Sequence, residues 1–189
     1  MLLLGPQGAG KGTQAQRISG EYGIPHIASG ELLRREIAAG TPLGGAVQEI
    51  YDRGDLVPDH LVIDIVRSRL SQDDARDGFV LDGFPRTLAQ AEALDDTLSE
   101  IGQDLGLVLE LQVPDDVGRA RMLKRGREEG RADDTPEAID RRLELYHRET
   151  EPLVAYYRAQ GKLVGIHGDR AVDEVFDEIQ QVLEQAAVR

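Results

Sequence analysis

Nine residues near the start of the chain, Gly5-Pro6-Gln7-Gly8-Ala9-Gly10-Lys11-Gly12-Thr13, constrain its fold more than any other stretch. They follow a short apolar run, Met1-Leu2-Leu3-Leu4, and open directly into a helical pattern, so the local structure reads as strand, tight loop, helix. Glycines at this density let backbone N–H groups converge on one point, the helix start adds the positive end of its dipole, and Lys11 supplies a mobile charge. Such a loop suits an anion, phosphate above all. A glycine turn with no ligand is the bland alternative, but three glycines among Gly8 to Thr13 would be an expensive way to make one turn. The strict phosphate-loop pattern has Ser or Thr immediately after the lysine; here Gly12 intervenes and Thr13 brings the hydroxyl.

The rest of the chain repeats the same alternation. Short apolar runs at 1–4, 24–28, 79–81, 107–113 and 163–166 read as buried strands. Between them lie helical patterns at 11–22, 30–39, 43–53, 59–72, 88–101, 115–125, 135–158 and 171–187, with Asp59 as a candidate cap and Thr135-Pro136-Glu137 as a strong helix start. Strands alternating with helices predict a parallel sheet covered on both faces, with ligands gathered at the carboxyl ends of the strands. Phe79-Val80-Leu81-Asp82 fits that scheme, because a buried strand delivers a carboxylate to its end. Beside a bound triphosphate such an aspartate holds magnesium, usually through water; alone it would be a turn residue before Gly83.

With 189 residues the expectation is one domain, and no linker separates a second. The 35 Asp+Glu against 22 Lys+Arg give a net charge of −13, which disfavours duplex DNA or an anionic membrane as partner. The absence of Cys excludes disulfides, thiolate zinc sites and a cysteine nucleophile. No window approaches a membrane span, and the first apolar run is too short for a signal peptide and lacks its basic flank. A soluble, cytoplasmic protein is therefore expected.

Three separated motifs sharpen the reading. Lys11-Gly12-Thr13, Ala28-Ser29-Gly30-Glu31-Leu32-Leu33-Arg34 and Asp82-Gly83-Phe84-Pro85-Arg86 occur in that order, followed by Arg131-Ala132-Asp133-Asp134 and Arg141-Arg142. Over essentially its whole length the chain resembles the nucleoside monophosphate kinases, and within them the adenylate kinases of short-lid form. The resemblance implies a three-layer P-loop NTPase fold with a central five-stranded parallel sheet flanked by helices. It implies a single core domain over 1–189, a monophosphate-binding insertion at 29–57 and a short lid at 124–134, read here as a loop of about eleven residues.

The resemblance also implies roles. Gly8, Ala9, Gly10, Lys11, Gly12 and Thr13 match the ATP phosphate loop; Arg121, Arg125 and Gly168 match further ATP contacts; Asp82 matches the residue that orients magnesium. Ser29, Arg34, Asp55, Leu56, Val57, Gly83, Phe84, Pro85, Arg86 and Gln90 match positions that hold AMP, and Arg131 and Arg142 match the pair that clamps phosphates. Lys11, Arg86, Arg125, Arg131 and Arg142 would carry catalysis. The implied reaction is reversible ATP + AMP = 2 ADP with Mg2+, serving adenine nucleotide balance and purine salvage, in a monomer without nucleic-acid or membrane partners.

Elementary chemistry agrees with those roles. An acceptor phosphate with a second pKa near 6 needs no general base at pH 7, so the enzyme must supply placement and positive charge. Planar arginines fork onto phosphate oxygens better than lysines do, and the chain has 19 Arg and 3 Lys, with eight Arg between Arg119 and Arg148. Arg119 and Arg141 read as structural or surface residues, and Arg127 stays open. Asp133 and Asp134 could orient lid arginines or ATP, or cap the next helix. The four His share no ligand spacing, so no structural zinc is expected. By the resemblance, Ser29 stands where adenylate kinases carry Thr and UMP/CMP kinases carry Ala, so its retained hydroxyl implies AMP over a pyrimidine monophosphate; Gln90 offers an amide suited to an adenine edge. The alternative within the class is a UMP/CMP or GMP kinase.

Overall fold

The three leucines after Met1 form β1 (Leu2–Leu4), the middle strand of a five-stranded sheet, in a computed structural model that describes residues 1–131 and 133–187. Side chains alternate along a strand, so Leu2 and Leu4 enter one layer and Leu3 the other; all three are buried because helices cover both faces. The remaining strands are β2 (His26–Ala28), β3 (Val80–Asp82), β4 (Val108–Gln112) and β5 (Leu163–His167). All neighbours pair in parallel in the order β2-β3-β1-β4-β5, the five-stranded parallel sheet expected from the sequence.

One layer holds α1 (Lys11–Tyr22) and α9 (Val172–Ala187), whose Ala15, Ile18, Val175, Phe176 and Ile179 pack against Leu3, Val80, Leu109 and Ile166. The other holds α2 (Ser29–Ala38), α3 (Pro42–Asp52), α4 (Asp59–Leu70), α5 (Leu88–Glu100) and α8 (Pro152–Ala159), packed on Leu2, Leu4, Ile27, Leu81 and Val108. Each fully buried aliphatic side chain here contributes on the order of 1.5–3 kcal/mol. A smaller cluster, Met122, Ile139 and Leu143, joins α6 (Asp115–Glu129) to α7 (Pro136–Leu145). No helix among the described residues is long and apolar enough to cross a membrane.

Three local expectations are corrected. The stretch 135–158 is not one helix: α7 ends at Leu145, a single π-helical turn spans Tyr146–Thr150, and α8 follows. Pro152 is the cause, since its ring crowds the carbonyl four residues earlier and it has no N–H to donate. The expected lid loop at 124–134 is helical through Glu129, because Lys124-Arg125-Gly126-Arg127-Glu128-Glu129 is rich in helix formers and the left-handed Gly130 ends the helix. Only a short connection to α7 remains, and Ala132 within it lies outside the described residues. Asp59 does not cap α4; Pro58 holds the cap position, and the Asp59 carboxylate instead accepts from Thr87 Oγ1 (3.1 Å) and Gln90 Nε2 (2.7 Å).

Candidate active site

The connections leaving β1 and β3 run to opposite faces of the sheet, into α1 and towards α5, and a crevice opens where adjacent strands part in this way. It holds a cleft of about 790 Å³. Leu3 stands opposite Asp82 in the ladder, so the glycine loop and the Asp82 carboxylate reach the cleft floor at the same level.

On the floor, Gly8 (φ 80°) and Gly10 (φ 93°) take left-handed conformations that L side chains rarely adopt, and Gly10 starts α1. Lys11 folds back over the loop, its Nζ donating to the carbonyls of Gly5 (2.7 Å) and Pro6 (2.8 Å). Burial pushes its ammonium pKa down to about 8. Burial also pushes the Asp82 carboxyl upward, but the neighbouring His26 ring and the Lys11 charge outweigh it and hold the group below its ordinary value. His26 Nε2 faces Asp82 Oδ2 at 3.6 Å, a long polar contact, and finds no hydrogen-bond partner among the described residues. Gly12 leaves Asp82 open on the loop side, where even an added Cβ would sit 3.4 Å from Oδ2. A single open carboxylate beside a phosphate cradle is a donor set that suits Mg2+, which takes most of its ligands from phosphate and water.

Arg86 forms the facing wall. Its Nε donates to the Gly83 carbonyl (2.7 Å), which also accepts from Ser29 Oγ (2.6 Å); burial and the nearby Arg142 lower its pKa. Arg34 lies beside it, donating to Tyr51 Oη at 2.6 Å. Arg121 donates to the Gly168 carbonyl at 2.9 Å, tying α6 to the end of β5. Lys11, Arg34, Arg86 and Arg121 all line the cleft, and none of them has a carboxylate within ion-pair distance among the described residues. An unpaired cation withdrawn from water is costly to maintain, and a site built to receive an anion is the physical situation that repays it.

The lid-side arginines are arranged differently. Arg125 forks onto Asp134 with bonds of 2.7 and 2.8 Å, Arg142 donates to Asp134 (3.1 Å) and to Asp133, and Arg131 meets Glu129 at 2.6 Å. Asp133 and Asp134 are buried. Burial pushes the Asp133 carboxyl up, but its bond from Arg142 prevails and holds it low. Both aspartates orient arginines; the cap of α7 is Thr135, whose Oγ1 accepts from Ala138 N–H. Arg119 and Arg141, expected to be structural or surface residues, pair at the surface with Asp140 and Asp55 respectively.

The cleft brings together Gly8, Gly10, Lys11, Gly12 and Thr13 with Arg34, Asp82, Gly83, Pro85 and Arg86, and with Arg121, Arg125, Arg131 and Arg142. Eight other expected site residues lie off its wall. Ala9, Val57 and Phe84 are in the core, and Ser29 and Gln90 are buried behind Gly83 and Arg86. Asp55 is engaged by Arg141 (2.8 Å) and Arg53 (3.3 Å), Leu56 is half-buried beside it, and Gly168 meets Arg121 through its carbonyl. The sequence reading missed His26, Tyr51, Tyr146 and Thr150, all on the cleft wall. Tyr51 and Tyr146 left a trace, each a polar-tipped aromatic on the buried face of a helical pattern.

A phosphate cradle alone serves hydrolysis or switching equally well. Arg34 and Arg86 add a second group of cations across the cleft from that cradle, an arrangement that fits a P-loop kinase. A family model for adenylate kinase matches residues 3–162. The chain is 48 % identical over 185 residues to an adenylate kinase of Synechococcus sp. (strain JA-2-3B'a(2-13)), covering 97 % of this chain and 95 % of that one. It is 46 % identical over 183 residues to an adenylate kinase of Xanthomonas campestris pv. campestris (strain 8004), covering 97 % and 98 %. The chain belongs to the adenylate kinase family and is an enzyme of that type, on a P-loop fold.

Proposed function

We propose that this enzyme reversibly transfers the terminal phosphoryl group of ATP to AMP, giving two ADP. The observation that carries the reading is the group of four cleft cations without carboxylate partners among the described residues, Lys11 and Arg121 on one side and Arg34 and Arg86 on the other. On this reading the loop from Gly8 to Thr13 and Lys11 take the ATP phosphates, and Arg121 lies on the ATP side. Arg34 and Arg86 take the AMP phosphate, with Ser29, residues 55–57, Phe84 and Gln90 supporting that side from behind the wall. Arg125, Arg131 and Arg142, already aimed by acidic partners, close on the transferring group and spread its negative charge. The acceptor is a phosphate already ionised at pH 7, so no side chain has to remove a proton.

Magnesium, held by Asp82 through water, would neutralise and orient the triphosphate oxygens. The segments 29–57 and 124–134 act as the two closing arms, expelling water so that the phosphoryl group reaches AMP and not solvent. We further propose a monomer acting in the cytoplasm in adenine nucleotide balance and purine salvage. A coupled assay with Mg–ATP against AMP, UMP, CMP and GMP tests the reading: AMP is the best acceptor and chelation of the metal abolishes turnover. Absence of AMP activity would sink it.

A further inference from the structure

Arg86 is held through its main chain as well as its side chain. Its N–H donates to Gln90 Oε1 (2.8 Å), its Nε to the Gly83 carbonyl (2.7 Å), and its carbonyl accepts from Thr150 Oγ1 (2.8 Å), a residue 64 positions away in the π-helical turn. Thr150 is 7 % exposed and lies on the cleft wall. A threonine in an ordinary helix satisfies its hydroxyl locally, on the carbonyl four residues back. Here that carbonyl, of Tyr146, accepts the Glu151 N–H (2.8 Å) that closes the π turn, and the hydroxyl turns to Arg86 instead. The helical run that ends in this turn also carries Arg142, so the Thr150 bond fixes one phosphate-facing arginine relative to the other. π turns recur at functional sites, where the extra residue redirects side chains.

We propose that Thr150, presented by the π turn, is a positioning residue for Arg86: it holds the backbone from which that guanidinium meets the acceptor phosphate, in register with Arg142. The proposal rests on the reading of Arg86 as an acceptor-phosphate contact. It assigns the break in the helix before Pro152 a role in catalysis that a packing defect would not have.

The test compares Thr150→Val, nearly the same shape without the hydroxyl, with Thr150→Ser, which keeps it, in the full-length enzyme. In T150V, turnover falls about 10- to 100-fold, the cost of a small misplacement of a catalytic group, and KM for AMP rises several-fold while KM for ATP stays within about twofold. T150S restores both parameters to near wild type. A merely structural role would lower the melting temperature or the active fraction without a selective rise in KM for AMP, and that pattern would overturn the proposal, as would wild-type kinetics in T150V. Should T150V fold poorly, Thr150→Ala takes its place, and normal turnover and AMP KM in T150A overturn the proposal. Arg86→Ala separates this inference from the reading beneath it. Loss of roughly 10³-fold or more in R86A with no defect in T150V refutes the role of Thr150 alone, whereas near-normal R86A refutes the role of Arg86.

Discussion

Lys11 sits near a pKa of about 8 because burial strips water from its ammonium; the charge of Asp82 opposes the shift, and Arg86 and Arg125 add to it. The sign follows directly. Below pH 8 the side chain is a cation, above it the positive charge is lost, and only the cation attracts triphosphate oxygens. With AMP saturating, kcat/KM for ATP is therefore expected to be level near pH 7, where the substrate phosphates are ionised, and to fall as pH passes about 8, since this ratio reports the enzyme before ATP binds. A Lys11→Arg variant, slower overall, should lose that alkaline limb because a guanidinium keeps its proton. A wild-type profile level through pH 9.5 would exclude Lys11 as the controlling group. Lys11 and Asp82 were legible in the sequence because each sits in a short local pattern, glycines around one and a strand end behind the other. Thr150 was not, because its partner is fixed only by the fold; nor was the pairing of Asp133 and Asp134 with Arg142 and Arg125, which the sequence left between three roles.

At the scale of elements, α6 rests directly on the phosphate loop. A Cβ at Gly118 would come within 2.8 Å of the Gln7 carbonyl oxygen, and one at Gly8 within 2.2 Å of the Gly118 carbonyl oxygen, so two backbones meet with no side chain between them. Arg121 and Arg125 lie one and two turns further along the same helix, and the contact sets their reach over the loop. Gly118→Ala should push helix and loop apart, costing about 1–3 kcal/mol and lowering Tm by roughly 3–10 °C, with a larger rise in KM for ATP than for AMP. Calorimetry and initial rates check both parts; equal stability and unchanged ATP KM would show that the contact relaxes freely. The elements themselves were largely readable, with all five strands and most helix starts within two residues of the pattern. The failures share a cause. Apolar spacing continues through Ile139, Leu143, Tyr146, Leu153 and Tyr157, and periodicity alone outweighs Pro152; the helical pattern stops at Arg125 because the charged helix formers of 126–129 carry no apolar spacing and the family likeness places them in a lid.

For the whole molecule, the charge of −13 and the binding of phosphates are reconciled by placement. The acidic groups at 73–77 and most of those at 173–184 are exposed, while the cleft wall carries eight Lys and Arg against five carboxylates. Field lines from that excess are confined by low-dielectric walls, so an anion inside meets a local potential opposite to the net charge. Because both proposed phosphate sites open into one cleft, a compound joining two adenosines through five phosphates should bind one per chain. At a thousandfold excess over Kd it should stabilise the fold by about 4 kcal/mol. Titration calorimetry gives the stoichiometry directly, and two equivalents per chain would contradict a shared cleft.

The pairing of Leu3 with Asp82 also makes β1 and β3 a ruler that tolerates no change in length. One residue inserted between Leu2 and Leu4 reverses which layer each following side chain enters and shifts the phosphate loop by a full step against Asp82. Inserted into the exposed connection near Gly102, where a Cβ added to the glycine would meet nothing within 4 Å, the same residue has room that the strands lack. A library of single insertions selected for turnover should therefore be silent across 2–13 and 80–86 and populated around 102–104, so that indels, more sharply than substitutions, outline the part of the chain that measures distance.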